Sequence, residues 1–298
     1  LLDLLMERGV KNGVELQQVT KHEMHKIEPR AYSWDRAIFS PTTSSADPIA
    51  VIQAMEVDAK SAGIDIHYGV KYLNNKHNKI ETTNGYYSVK YVVNAAGLYA
   101  DKVARDFNFC SNYTILPFKG IYLKSNEAAN AYKTHIYPVP DLENPFLGVH
   151  FTIQVDGKVK IGPTAIPAFW REQYKYLDNF KLNEFVDISS RSVGLLLKSN
   201  FNFSRLAVDE TKKYSRKRLV KLASGLVPDI RHNYFKQWAK PGIRAQLIDL
   251  KSRKLEMDFV LEGDNKSMHV LNAVSPGWTC SIPFSKHVVS EISRRLNE

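Results

Sequence analysis

The chain has 298 residues, 44% of them hydrophobic, and a formal net charge of +10. That is enough apolar material for two domains, yet no run of about 18 apolar residues occurs, so no helix is expected to span a bilayer. The positive charge favours anionic partners, and two distant cysteines, Cys110 and Cys280, exclude a disulfide framework and point to a reducing compartment.

Leu1 to Arg8 reads as the end of a helix, with Gly9 as its stop. Thr20 to Ile27 reads as a short helix halted before Pro29. His22 and His25 lie three apart there, but no further ligand has matching spacing, so no metal is expected. Pro41 to Asp47 is a polar loop, and Asp47-Pro48 opens a helix as cap and first-turn residue. Ile52, Met55 and Ala59 give that helix one apolar face, and Gly63 ends it. Ile64, Ile66, Tyr68, Val70 and Tyr72 alternate as a half-buried strand does. Asn84-Gly85 is a hairpin turn, and Tyr86 to Val93 is the strand that follows. That strand feeds the small residues Ala95, Ala96 and Gly97 and then a helix to about Phe107, a turn that lets something bulky approach the backbone.

From about Phe109 to Val208 short aromatic-rich strands dominate: Lys119 to Leu123, His135 to Val139, Phe146 to Ile153 and Lys158 to Gly162, with a turn at Asp156-Gly157. This predicts an antiparallel sheet. Lys181 to Leu222 is more helical and includes Leu195, Leu196 and Leu197. Its basic cluster of Lys212, Lys213, Arg216, Lys217, Arg218 and Lys221 reads as a solvated helix face. Peripheral contact with anionic lipid is the open alternative, and no nucleic acid is expected. Pro228 and Pro241 punctuate the return. Met268 to Ala273 is a strand, Ser275-Pro276-Gly277 a loop, and Phe284 to Leu296 a helix with Val288, Ile292 and Leu296 as its buried stripe.

No two of the 15 glycines lie two residues apart, so the G-x-G-x-x-G turn that seats a pyrophosphate on a helix N-terminus does not occur. Segments that normally follow such a turn are nevertheless in place, and the chain opens mid-pattern at Leu1. It reads as the larger C-terminal part of a two-domain enzyme whose first βαβ unit is missing.

The ordered strings Pro41-Thr-Thr, Asn94-Ala-Ala-Gly-Leu-Tyr-Ala-Asp101, Lys119-Gly120, Tyr137-Pro-Val-Pro140, Phe146-Leu-Gly-Val-His-Phe-Thr152, Gly162-Pro163, Leu226-Val-Pro228, Gly242-Ile-Arg-Ala-Gln246 and Leu271-Asn-Ala-Val-Ser-Pro276 carry a resemblance. Together they resemble the L-2-hydroxyglutarate oxidase/dehydrogenase family, within the D-amino-acid-oxidase-like FAD oxidoreductases, over essentially the whole chain. The resemblance implies FAD as cofactor and oxidation of L-2-hydroxyglutarate, or a similar 2-hydroxy diacid, to the 2-oxo acid, with oxygen or a quinone as acceptor. An amino-acid, amine or glycerol-phosphate oxidoreductase of the same fold is the alternative. A non-catalytic truncated form that binds anionic partners is a second.

Site residues follow from the same match. Arg244 is implied to pair with the substrate carboxylate, for which a planar bidentate donor is suited, and Gln246 to add a neutral donor. His150, which titrates near neutrality, is the candidate base for the hydroxyl proton, ahead of His135. Lys119 and Tyr122 are placed near the flavin or the distal carboxylate. Thr43, Val70, Ala95, Ala96, Gly97, Ser275, Pro276, Gly277 and Thr279 are the implied cofactor contacts, with Gly277 and Trp278 departing from the usual Ser-Pro-Ala-Ala-Thr. Arg244 and His150 are expected to serve one cavity. The expected fold is α/β, mixed with α+β: a truncated FAD-binding domain at 40–106 and 225–298, a substrate domain at 107–224 with a large, mainly antiparallel sheet, and a connecting segment at 1–39. Without the glycine turn these 298 residues are expected to bind FAD poorly or not at all. The expected location is cytoplasmic, peripheral to the inner membrane as an alternative, and mitochondrial in a eukaryote.

Overall fold

In the computed structural model, which describes residues 1–76, 79–140, 148–198 and 210–297, helix α1 spans Leu2–Lys11. It runs through Gly9, where a side chain would collide with Leu16, and turns at Gly13, whose φ of +70° suits glycine. The expected stop at Gly9 is therefore a point of close packing, and the helix ends later. Strand β1 (Gln17–Thr20) leads into α2 (Lys21–Ile27). Thr20 Oγ1 accepts from the Glu23 N–H while Glu23 accepts from the Thr20 N–H, a reciprocal cap that starts the expected helix. Strand β2 (Arg36–Phe39) pairs antiparallel with β1. Helix α3 (Pro48–Ser61) starts where Asp47 accepts from the Ile49 and Ala50 N–H groups. Its expected apolar face is not buried: Ile52 and Met55 are exposed.

The alternating run 64–71 is not a strand, because Gly69 turns at φ +70° and extended pairing begins only at β3 (Tyr72–Lys76). Strands β4 (Lys79–Thr82) and β5 (Gly85–Tyr87) form the hairpin expected at Asn84-Gly85. The strand expected over Tyr86 to Val93 is broken in two, with β6 at Val92–Asn94 pairing elsewhere. Helix α4 (Ala100–Arg105) follows. Then come β7 (Tyr113–Gly120), β8 (Leu123–Lys124), β9 (His150–Ile153), β10 (Val159–Gly162) and β11 (Ile166–Pro167). Of the segment His135 to Val139 only Ile136 makes a bridge, to Phe151. Phe146 lies outside the described residues, as do the side chains of Leu195, Leu196 and Leu197 in α5 (Leu182–Lys198). A basic helix at Arg216–Ala223 precedes β12 (Gln237–Trp238), β13 (Gly242–Asp249), β14 (Lys254–Leu255), β15 (Val260–Gly263) and β16 (Ser267–Asn272). The last helix, Ser281–Leu296, buries Val288 but leaves Leu296 exposed, so its stripe is shorter than its periodicity predicts.

By packing, the chain forms two compact units. One comprises 1–65, 120–165 and 208–241, the other 66–119, 166–207 and 242–298. In the first, the four-stranded sheet β12–β8–β10–β9 is antiparallel and buries Leu123, Phe151, Val159 and Ile161 against Leu219, Val220 and Ala223 of the basic helix. Lys212, Lys217, Arg218 and Lys221 are exposed, while Lys213 pairs with Glu210. In the second unit a four-stranded sheet, β11–β7–β13–β14, accompanies the sheets β15–β16–β6 and β3–β4–β5. The fold is mixed α/β with antiparallel sheets, as expected. The antiparallel pairing is shared among several sheets of two to four strands instead of one large sheet.

Candidate active site

In the second unit β6 and β16 run parallel, with Asn94 opposite His269, and both strands lead into small residues. Ligands of parallel sheets sit beyond the carboxyl ends of the strands. Here a cavity of about 540 Å³ is lined by Ala95 and Gly97 after β6, Ala273 and Ser275 after β16, Arg244 of β13 and Ser281 of the last helix. Gly97 has φ +54° and nothing within 4 Å of the place a Cβ would take, so the backbone there is open to a bulky flat group. The loop after β16 is tight. The Gly277 N–H donates to Val274 O at 2.6 Å, and Thr279 Oγ1 donates to Pro276 O at 3.0 Å. A Cβ at Gly277 would come within 2.6 Å of Ala273 O, which is why glycine stands there.

A buried polar frame holds the turn after β6. Asn94 Nδ2 donates to Ala100 O at 2.8 Å and to His269 Nδ1 at 3.1 Å, and its Oδ1 accepts from the Ala96 N–H at 3.1 Å. His269 Nδ1 is thus an acceptor, and Nε2 carries the hydrogen toward Ser267 Oγ at 3.1 Å. Burial pushes the His269 pKa down to about 4, with Asp264 only partly opposing it. Arg171 binds fully buried Asp101 through both carboxylate oxygens, at 2.7 and 2.9 Å, and also donates to Leu98 O. Burial works against ionisation of Asp101. The Arg171 hydrogen bonds and charge, joined by Arg105 and the Ile115 N–H, outweigh it and hold the carboxyl below its ordinary value.

In the first unit His150 lies on β9. Its neighbours Val149 and Phe151 face the apolar core, so alternation puts His150 on the opposite face of the sheet. Its Nδ1 is 2.9 Å from Gly148 O, an atom that can only accept, so Nδ1 carries the hydrogen and Nε2 holds a lone pair. The ring stacks on Tyr137 at 4.5 Å. Burial, with the charges of Lys160 and His135, lowers its pKa, and the Gly148 carbonyl partly opposes this. The result is a neutral imidazole with an available base nitrogen. His135 has the reverse tautomer: the Ile153 N–H donates to its Nδ1 at 3.0 Å, so Nε2 carries the hydrogen toward Ser45 Oγ. It offers no comparable base.

The structure groups Ala95, Gly97, Ser275 and Arg244 around one cavity, and places Tyr122 just before β8, in the unit that carries His150. Gln246 differs from its expected role. It is buried, and its amide donates to Leu247 O and Glu256 O, which leaves no amide hydrogen for a carboxylate. The Ala96 N–H is committed to Asn94, and Thr43 Oγ1 donates to Ser40 Oγ at 2.9 Å. Val70 follows the Gly69 turn outside the cavity lining, and Lys119 is buried on β7 opposite Ile166. Sequence reading missed Arg171, His269 and Lys160. A larger cavity of about 740 Å³ in the first unit is lined mainly by apolar side chains such as Leu16, Met24 and Phe39. It reaches Glu28, whose carboxylate is already bound by the Lys133 and Thr134 N–H groups.

The profile of the DAO family, "FAD dependent oxidoreductase", matches residues 2–290. The chain belongs to this family of FAD-dependent oxidoreductases. Among relatives within reach of sequence, the mitochondrial L-2-hydroxyglutarate dehydrogenase of Homo sapiens is 33% identical, covering 99% of this chain and 68% of that protein. The L-2-hydroxyglutarate dehydrogenase of Escherichia coli strain K12 is 30% identical, covering 98% and 69%. The solved structure of L-alpha-glycerophosphate oxidase from Mycoplasma pneumoniae, with FAD bound, superposes with a TM-score of 0.66 at 20% identity, covering 100% of this chain and 69% of that one. Glycine oxidase from Geobacillus kaustophilus superposes with a TM-score of 0.58 at 16% identity, covering 96% and 65%. Those two likenesses establish the oxidoreductase fold.

Proposed function

We propose that this FAD-dependent oxidoreductase oxidises L-2-hydroxyglutarate, a short 2-hydroxy diacid, to 2-oxoglutarate. The reading is carried by His150, a buried imidazole whose tautomer leaves Nε2 ready to accept a proton, in a chain that matches, over nearly all its length, relatives named L-2-hydroxyglutarate dehydrogenase. FAD bound to this chain would supply the hydride acceptor for oxidation of the hydroxyl carbon. His150 Nε2 takes the hydroxyl proton. Arg244, by its place in the sequence, is the residue assigned to a substrate carboxylate, for which a planar guanidinium gives two parallel hydrogen bonds. Lys119 and Tyr122 complete the assigned substrate contacts.

The open backbone at Gly97 and the small side chains of Ala95 and Ala273 fit a flavin nucleotide, and with Ser275 they are the residues assigned to it. Thr43, Val70, Ala96, Pro276, Gly277 and Thr279 complete the proposed set by their place in the sequence. The proposed division by ligand remains 40–106 with 225–298 for the cofactor and 107–224 for the substrate. Oxygen or a quinone is the proposed final acceptor. No helix among the described residues is long and apolar enough to cross a membrane, and peripheral contact through the basic helix is the proposed membrane mode.

Dye reduction by the flavin-loaded protein tests the reading on a panel of L-2-hydroxyglutarate, L-lactate, glycerol 3-phosphate and amino acids. L-2-hydroxyglutarate is expected to give the highest kcat/KM, and preference for glycerol phosphate or an amino acid overturns the proposal. His150→Asn is expected to lower kcat by roughly 10²–10⁴-fold. The wild-type kcat/KM should rise with pH through an apparent pKa below the ordinary histidine value of 6.5, since the neutral ring is the active form.

A further inference from the structure

The face of the β12–β8–β10–β9 sheet turned away from the apolar core carries two lysines that the assigned chemistry does not use. On β10, Val159 and Ile161 face the core, so Lys160 and Gly162 face away from it. Register places Lys160 opposite Thr152 of β9 and opposite Lys124 of β8, and Gly162 opposite His150. Lys124, Lys160, Thr152 and His150 therefore share one face.

Two like charges directly opposite each other on a sheet are destabilising. Among the described residues neither lysine has a carboxylate partner; the recorded neighbours of Lys160 are the Tyr122 ring, 4.5 Å from its Nζ, and the charges of Lys124 and His150. Lys160 is half-buried, and burial together with Lys124 lowers its pKa. Tyr122 is fixed by the glycine across from His150: a Cβ on Gly162 would come within 2.8 Å of its ring. The face thus has a base at one end, a ring beside it, and a cation pair at the other. An anion on the lysines would relieve their repulsion and offset the burial of Lys160.

We propose that Lys160 and Lys124 hold the substrate carboxylate remote from the oxidised carbon, with the hydroxyl at His150. This rests on the 2-hydroxy diacid reading and assigns its second carboxylate. Lys160 is the diagonal neighbour of His150 across the strand pair, an interval of about 7–8 Å between backbones that a short diacid spans. The pair selects a diacid over the monoacid of equal length, because only the diacid supplies charge to both lysines.

The test compares L-2-hydroxyglutarate with L-2-hydroxypentanoate, which lacks the distal carboxylate, on flavin-loaded wild type, Lys160→Met, Lys160→Arg and Lys124→Met. Lys160→Met is expected to raise KM for the diacid roughly 10–100-fold, with a smaller change in kcat, and to change KM for the monoacid far less. Lys160→Arg should retain the preference for the diacid. Lys124→Met, at an exposed position, should reduce it in the same sense as Lys160→Met, and guards against misfolding of the half-buried variant. Calorimetric titration with glutarate, which carries no hydroxyl to oxidise, reads the same subsite without turnover. Wild type should bind it at least tenfold more tightly than either methionine variant. Equal changes for diacid and monoacid, or equal glutarate affinity in wild type and variants, overturn the proposal. Failure of the wild type to oxidise 2-hydroxy acids, with lysine-dependent glutarate binding intact, overturns the functional reading and leaves the subsite standing.

Discussion

The sheet face that carries His150 and the turn that carries Asn94 are held in place by opposite means. Behind His150 the support is apolar: Leu123, Phe151 and Ile161 pack on Leu219, Val220 and Ala223, and the functional side chains project from the other side. Behind the turn the support is polar: Asn94, His269, Asp101 and Arg171 are all buried and hydrogen-bonded to one another or to backbone. Apolar support fails by degrees, because each lost methyl removes a fraction of the packing. A polar frame fails abruptly, because removing one partner leaves the other desolvated and unpaired.

The contrast is sharpest at the buried ion pair. Arg171→Met leaves Asp101 without its main partner and is expected to cost about 3–5 kcal/mol in urea unfolding, with much of the loss recovered in the Arg171→Met/Asp101→Asn double variant. A loss below about 1 kcal/mol in the single variant would erase the distinction between the two regions. Next comes pH. The unfolded chain protonates His269 near the ordinary 6.5, whereas the folded ring does so only at about 4, so the unfolded state binds more protons in between. Stability should fall by about 3 kcal/mol as pH drops through that window, and His269→Gln should remove that component. Identical pH profiles for the two proteins would show that the ring is not held neutral. The smallest effect belongs to the apolar side. Ile161→Val should cost about 1 kcal/mol with kcat unchanged, and a loss as large as that at Arg171 would mean that both supports are equally brittle.

Local chemistry was legible in the sequence. The short helix from Thr20 to Ile27, the Asp47-Pro48 helix start and the turns at Asn84-Gly85 and Asp156-Gly157 each involve residues within a few positions of one another. Features decided by distant partners were not. The alternation over 64–72 predicts a strand, but Gly69 bends the backbone and only the last of those residues finds a neighbour. The periodicity of the last helix extends to Leu296, while burial stops short of it. At the candidate site, the run of small residues from Ala95 to Gly97 stands out in the sequence. Its brace, Arg171, lies more than seventy residues downstream with no spacing signal to connect them. Lys160 was visible within a strand, but only the register with Lys124 and His150 gives its position meaning.

Asn94 gives both ends of its amide to different partners: nitrogen to the Ala100 carbonyl and the His269 lone pair, oxygen to the Ala96 N–H. This leaves the turn little tolerance for a change at that one amide. In Asn94→Asp a carboxylate oxygen would face the Ala100 carbonyl, which cannot donate, and only the imidazole could answer, by moving its hydrogen to Nδ1. Asn94→Asp is expected to lose flavin-binding capacity, read by titration with FAD. Asn84→Asp, in its solvent-facing hairpin, should leave that capacity intact.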